Sequence, residues 1–256
     1  MKINQITQLS FKQVEMYRYR NQIFVLLLTT TFYLQGCDAI LFKNGNGEMV
    51  VNSRRVEPFT SIYIEGNFEV ILEKNDQPGV VIKVDENLLE YIEVDSKHDV
   101  LSIYSTERIR SKDGIKVMIS YTEIEEITVS GACGIYTETP LNTEHLDVNM
   151  SGASIVEMEL NVKYLQVMLS GAGILDIRGK THDLKVTLSG AGSFNGSALE
   201  TKNAVITISG VGGAKVNVTG DLSATVSGIG GVEYQGHPKT IKKNISGIGK
   251  IFASRK

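Results

Sequence analysis

From Leu146 onward the chain alternates apolar and polar residues with a beat of two, and the beat restarts about every 20 residues at a Ser-Gly doublet. Counting from each of the last six doublet serines, position −5 holds Leu146, Leu165, Leu184, Ala204, Leu222 and Ile241. Position −3 holds Val148, Val167, Val186, Ile206 and Ala224, and position −1 holds Met150, Leu169, Leu188, Ile208, Val226 and Ile245. Such alternation predicts a strand with one buried face. Position +2 is again apolar (Ala153, Ala172, Ala191, Val211, Ile229, Ile248), as is +5 (Val156, Leu175, Phe194, Ala214, Val232, Ile251), so a second strand is expected after each doublet. The glycine between them suits a sharp turn at positive φ. A polar stretch such as residues 179–183 is expected to loop back to the next coil.

The doublets begin at Ser130, Ser151, Ser170, Ser189, Ser209, Ser227 and Ser246, with gaps of 21, 19, 19, 20, 18 and 19 residues. A period this short and regular predicts an all-β solenoid: a single-stranded parallel β-helix with about 20 residues per coil. Helical repeats need about 33 residues or more, and leucine-rich repeats have a different consensus. Seven coils at roughly 4.8 Å make a rod segment about 30 Å long. Its outward columns at −2 and 0 would carry Asn149, Thr187, Thr207, Thr225, Asn244 and the serines. Upstream, strand-like runs fall at 61–65, 68–73, 80–84, 100–104 and 115–119, with turns at 75–79 and 112–114 and a run at 87–92 that suits a single helical turn. One elongated domain over 55–254 is therefore expected, its first coils irregular and longer. Residues 37–54, with Gly45-Asn46-Gly47, are expected to form a flexible tether.

The amino terminus bears on compartment. Arg18 and Arg20 precede an apolar run over 23–28, which leads into Leu34-Gln35-Gly36-Cys37. A basic stretch, a short apolar core and small residues describe a signal peptide, too short to span a membrane. Leu-Gln-Gly-Cys also resembles the bacterial lipobox, which makes Cys37 a lipidation site and 1–36 the leader, with Met16 as a candidate true start. The alternative is a free cysteine after an ordinary signal. Cys133 is then left without an intramolecular disulfide partner, and it reads as a small filler at its repeat position. Removing residues 1–36 takes four of 26 basic and one of 29 acidic residues and leaves a net charge of −6. That argues against nucleic acid as a partner.

Candidate chemistry is sparse. Asp176, Arg178, Asp183 and Lys185 fall on two adjacent coils with Asp147 further along, which suits either a solvated face of mixed charge or a polysaccharide-processing site. His98, His145, His182 and His237 share no register, so no metal site is expected. Gly212-Gly213-Ala214 lacks the acid of a calcium-binding nonapeptide, and the Ser-Gly doublets are corners rather than nucleophile elbows. Three coils carry Thr-x-Ser in register (Thr187/Ser189, Thr207/Ser209, Thr225/Ser227), similar to ice-binding ladders, but Met168 interrupts them. These six are the candidate binding residues. No catalytic residue and no cofactor are expected.

The run 55–62 (Arg-Val-Glu-Pro-Phe-Thr-Ser-Ile), then Gly66-Asn67-Phe68-Glu69-Val70, Leu101-Ser102-Ile103 and the repeated SGAG and SGIG corners resemble the "putative auto-transporter adhesin, head GIN domain" family, common in Bacteroidetes, over roughly 55–254. The resemblance implies a right-handed β-helix and an envelope location, and it carries no catalytic residues. The expected protein is a lipid-anchored rod at the outer membrane of a Gram-negative cell that binds glycans or envelope proteins. The alternative is a carbohydrate-active enzyme, a lyase or hydrolase of the β-helix type.

Overall fold

The computed structural model describes residues 42–254; the leader, Cys37 and the start of the expected tether lie outside the described residues. The chain winds into a parallel β-solenoid of about seven turns, with consecutive parallel bridges about 19 residues apart. Before each doublet, the inward positions stack in the expected columns: Leu146, Leu165, Leu184, Ala204, Leu222 and Ile241 are successive partners. After it, Val156, Leu175, Phe194, Ala214, Val232 and Ile251 do the same. Nearly every member of these columns is buried, so the core is a continuous apolar channel filled by like on like.

Two features of the repeat differ from the expectation. Position +2 faces outward: Ala153, Ala172, Ala191, Val211, Ile229 and Ile248 form an exposed column, because the corner shifts the alternation and turns +3 inward. Residues 179–183 are not a loop but part of the strand Ala172–Leu188, paired in parallel on both sides. They belong to a third side of the coil, whose inner column runs Val162, Thr181, Thr201, Val218. This side looks polar because its inner residues include threonines as well as its outer ones. Their buried hydroxyls are satisfied locally: Thr181 Oγ1 donates to the Asp183 carbonyl at 3.3 Å and Thr201 Oγ1 to the Leu199 carbonyl at 3.3 Å.

The corner glycines also have a different cause. Of the seven, only Gly131 has positive φ. At Gly152, Gly171, Gly190, Gly210, Gly228 and Gly247 a Cβ would run into the glycine carbonyl of the coil below. Glycine is there because stacked corners come too close for any side chain.

The coils before Ser130 are not in chain order. Ser61–Gly66 and Glu69–Lys74 form one coil, but it lies between two later ones. On one side it pairs with Glu126–Gly131 and Gly134–Thr137, and on the other with Val100–Ser105 and Lys116–Tyr121. Three antiparallel strands then cover the outermost coil: Ile92–Lys97 on Val100–Ser105, Gly79–Asp85 on Lys116–Tyr121, and Met49–Arg55 on Gly79–Asp85. A 3-10 helix over Glu86–Tyr91 buries Leu88 beside them. The irregular first coils expected from the sequence take the form of one displaced coil and an antiparallel cap. The described part of the expected tether is likewise ordered. Met49–Arg55 is the outer cap strand, and the 45–47 turn is pinned where Asp85 Oδ1 accepts the Gly47 amide at 2.7 Å.

Candidate functional site

Outward side chains inherit the coil register, so each sequence position becomes a column. Thr187, Thr207 and Thr225 are consecutive partners, half-buried and outward-facing, with Met168 before them and Asn244 after. The serines of the same candidate set are used differently. Ser189 Oγ donates to the Leu169 carbonyl at 3.3 Å and Ser227 Oγ to the Ile208 carbonyl at 3.5 Å, each in the coil below, while the Ser209 amide donates to the Leu188 carbonyl at 2.9 Å. All six face outward: the threonines are half-buried, and the serines are exposed, with Ser189 and Ser227 also tying their hydroxyls to the coil below.

A second outward surface lies at −6 and −4, where a shallow hollow of about 520 Å³ is lined by His145, Tyr164, Gln166, Asp183, Lys185 and Asn203, with Asp221 and Thr240 at its far end. Its polar groups form a chain. Asn203 Nδ2 donates to Asp183 Oδ1 at 2.9 Å, the Asp221 amide donates to Asn203 Oδ1 at 3.2 Å, and Thr240 Oγ1 donates to Asp221 Oδ1 at 2.6 Å. His182 Nδ1 lies 2.8 Å from Asp183 Oδ2, and Lys202 Nζ lies 3.1 Å from His182 Nε2. Partial burial opposes ionisation of Asp183, but the Asn203 and His182 hydrogen bonds and the Lys202 charge outweigh it and hold its carboxyl below the usual range. A group poised as carboxylate is unsuited to general acid work, which calls for a raised pKa.

The five charged candidates divide between two surfaces. Asp147, Asp183 and Lys185 stand on the −6 and −4 columns, while Asp176 and Arg178 lie beyond the corner. There Arg178 Nε donates to Asp176 Oδ1 at 3.1 Å and Asn195 Nδ2 donates to Asp176 Oδ2 at 2.9 Å. Asp176 and Asp183 share no hydrogen-bond partner, and each is held by its own neighbours. His145 and His182 do meet one surface, His145 lining the hollow and His182 bonding Asp183. Among the described residues, no three His, Cys, Asp or Glu side chains gather as a metal cluster would. Tyr164, 42% exposed, was not among the sequence candidates. Aligning −6 across the coils (His145, Tyr164, Asp183, Asn203, Asp221, Thr240) is the signal that finds this surface. Cys133 is buried at +3, its Sγ 3.6 Å from the Gly66 carbonyl, and burial pushes its thiol pKa up, in keeping with a filler.

Comparison with known proteins accords with this geometry. A crystal structure of a putative adhesin from Bacteroides fragilis superposes with a TM-score of 0.79 at 21% identity, covering 83% of this chain and all of that one. Two proteins from Parabacteroides distasonis, one titled a putative lipid binding protein and the other a putative adhesin, give TM-scores of 0.67 and 0.66. Each is 20% identical and matches 84% of this chain and the whole of its own. No curated protein matches. Residues 58–238 match the family described as "Putative auto-transporter adhesin, head GIN domain", and the chain belongs to that family.

Proposed function

We propose that this head GIN domain protein is a non-catalytic adhesion rod of the cell envelope, anchored through a lipid on Cys37, that binds glycans or envelope proteins along its outward columns. The observation that carries the reading is the register. Thr187, Thr207 and Thr225 repeat one hydroxyl at one coil spacing, and the −6 column repeats hydrogen-bonding groups beside it. A polymeric ligand with its own repeat meets such a surface at several equivalent points, so modest contacts add. The family's description as adhesins supports binding over catalysis, and so does the separation of Asp176 and Asp183, each held by its own neighbours with no shared partner. Cys37 lies outside the described residues; its anchoring role rests on the lipobox-like Leu34-Gln35-Gly36-Cys37.

The test pairs binding with turnover. The full chain is assayed on immobilised envelope polysaccharide for retention and for release of reducing ends. Thr187→Ala, Thr207→Ala and Thr225→Ala should each weaken retention by a few-fold at most, since one hydrogen bond contributes about 1 kcal/mol. A steady release of reducing ends that disappears in Asp176→Asn or Asp183→Asn, with folding intact, would replace the adhesion reading with the enzymatic one.

A further inference from the structure

A second hollow, of about 700 Å³, opens on another surface, past the corners of the last coils, and its volume is that of an ordinary small-ligand site. Two features make it a cavity. At position +4 the column reads Ile155, Ile174, Ser193, Gly213, Gly231, Lys250, so the side chains vanish where the floor lies. Nothing in the backbone demands glycine at 213: its φ is not left-handed, and a Cβ there would have a single neighbour, the Gly231 carbonyl at 3.4 Å. Its neighbour Gly212 differs, because there a Cβ would strike the Gly192 carbonyl. Then at +6 the column reads Glu157, Asp176, Asn195, Lys215, Glu233, Phe252, so a polar series ends in an aromatic ring that is 46% exposed.

From these features we infer that this hollow is a subsite for a neutral sugar ring, laid over the Gly213–Gly231 floor against Phe252. The charges decide against an ionic ligand. Lys215 Nζ lies 3.5 Å from Glu233 Oε2, and Ser254 Oγ donates to Glu233 Oε1 at 2.7 Å, so the wall presents a pair rather than a free charge. Gln235 Nε2 donates to the Ser197 carbonyl at 2.6 Å, which fixes an amide at the rim. An exposed ring for the apolar face of a pyranose, beside amide and paired-charge groups for its hydroxyls, is the chemistry a neutral polyol needs.

The inference rests on the adhesion reading but fails separately from it. The full chain is titrated calorimetrically with cello-, manno- and xylo-oligosaccharides, with polygalacturonate as an anionic control. The expected result is binding of a neutral series, weakened roughly tenfold by Phe252→Ala. Gly213→Val should abolish it by filling the floor while leaving the melting temperature near that of the parent, since Ile174 already occupies the equivalent place two coils away. Phe252→Ala, at an exposed position, guards against a folding failure of Gly213→Val. If neutral sugars bind equally to both variants and the loss comes instead with Tyr164→Ala, the hollow is overturned and the adhesion reading stands. If only polygalacturonate binds, or no sugar binds, the neutral-sugar subsite is overturned, and retention on envelope protein decides the adhesion reading.

Discussion

At the scale of single residues, the stacking of coils decides what each position tolerates. Gly190 sits where a Cβ would meet the Gly171 carbonyl and the Ser170 backbone, whereas Gly213 has room. Gly190→Ala should therefore cost about 1–3 kcal/mol as an overpacked site, and Gly213→Ala should stay within about 0.5 kcal/mol; urea denaturation of the two variants checks the contrast. Asp85, only 1% exposed, is the other residue with a defined burden. The neighbouring Ser111 hydroxyl stabilises its charge most, though neither Asp85 Oδ2 nor Ser111 Oγ has a partner at hydrogen-bonding geometry; burial opposes, and the Gly47 amide at 2.7 Å adds to the stabilisation. The net effect holds its pKa below the ordinary aspartate value of about 3.9. A depressed folded pKa means that the contribution to stability is complete above the unfolded value and lost as pH falls through the folded one. Asp85→Asn should lower stability at neutral pH and flatten the acid limb of the stability profile, as read by chemical denaturation from neutral pH downward. An unchanged acid limb would show that Asp85 does not pin the 45–47 turn. Alternation tells which residues before each doublet are inward, but not that +2 turns outward or why the glycines are there, because the corner geometry and the clash involve a backbone some 19 residues away.

At the scale of elements, the two ends of the solenoid are treated differently. The first end is covered by antiparallel strands, which hides the ladder edge of the coil beneath. At the other end, Thr240–Ile245 and Ile248–Ala253 are paired on one side only among the described residues. There the inward −3 position, which holds Val148, Val167, Val186, Ile206 and Ala224 in earlier coils, holds Lys243. Its ammonium crosses the open core to donate to the Ile251 carbonyl at 3.0 Å and to the Tyr234 hydroxyl at 3.3 Å, 4.8 Å from the Tyr234 ring centroid. An inward charge on an edge strand discourages a further strand from adding. Lys243→Val should therefore raise self-association, with sedimentation equilibrium showing a higher mean mass than the parent at equal concentration; identical masses would remove this role from Lys243. Coil length, strand pairs and inward columns were legible because each follows from a period of two inside a period near 19. The displaced coil was not, since Ser61–Gly66 alternates like any other strand and nothing local names Val100–Ser105 as its neighbour. The third side was hidden for a related reason: Thr181 and Thr201 put polar letters on both faces. The −6 surface is harder to read because its column mixes His145, Tyr164, Asp183, Asn203, Asp221 and Thr240, with no repeated residue type to mark it as the threonines mark −2.

At the scale of the whole molecule, the cap and the anchor belong to the same argument. Five peptide units separate Cys37 from Phe42, the first described residue, and Lys43 already pairs with Ile109. At no more than about 3.6 Å per residue, that stretch reaches at most about 18 Å. A lipid on Cys37 would therefore keep the capped end close to the bilayer, and the last coil, eight coil steps along the ladder, can stand up to about 38 Å farther out at the coil spacing. Two measurements follow. Cys37→Ser should accumulate as unprocessed precursor or leave the membrane fraction, because one or more acyl chains at that residue are the postulated hold. Equal labelling of parent and variant by an alkyne fatty acid would place the lipid elsewhere or nowhere. Orientation can be read in the lipidated protein by fluorophores on cysteines placed at exposed Glu86, in the cap, and Lys250, in the last coil, since buried Cys133 should react poorly. A headgroup-attached quencher should dim the Glu86→Cys label and spare the Lys250→Cys label. Equal quenching at the two sites would mean that the solenoid lies along the membrane, and the rod would then present one side rather than one end to it.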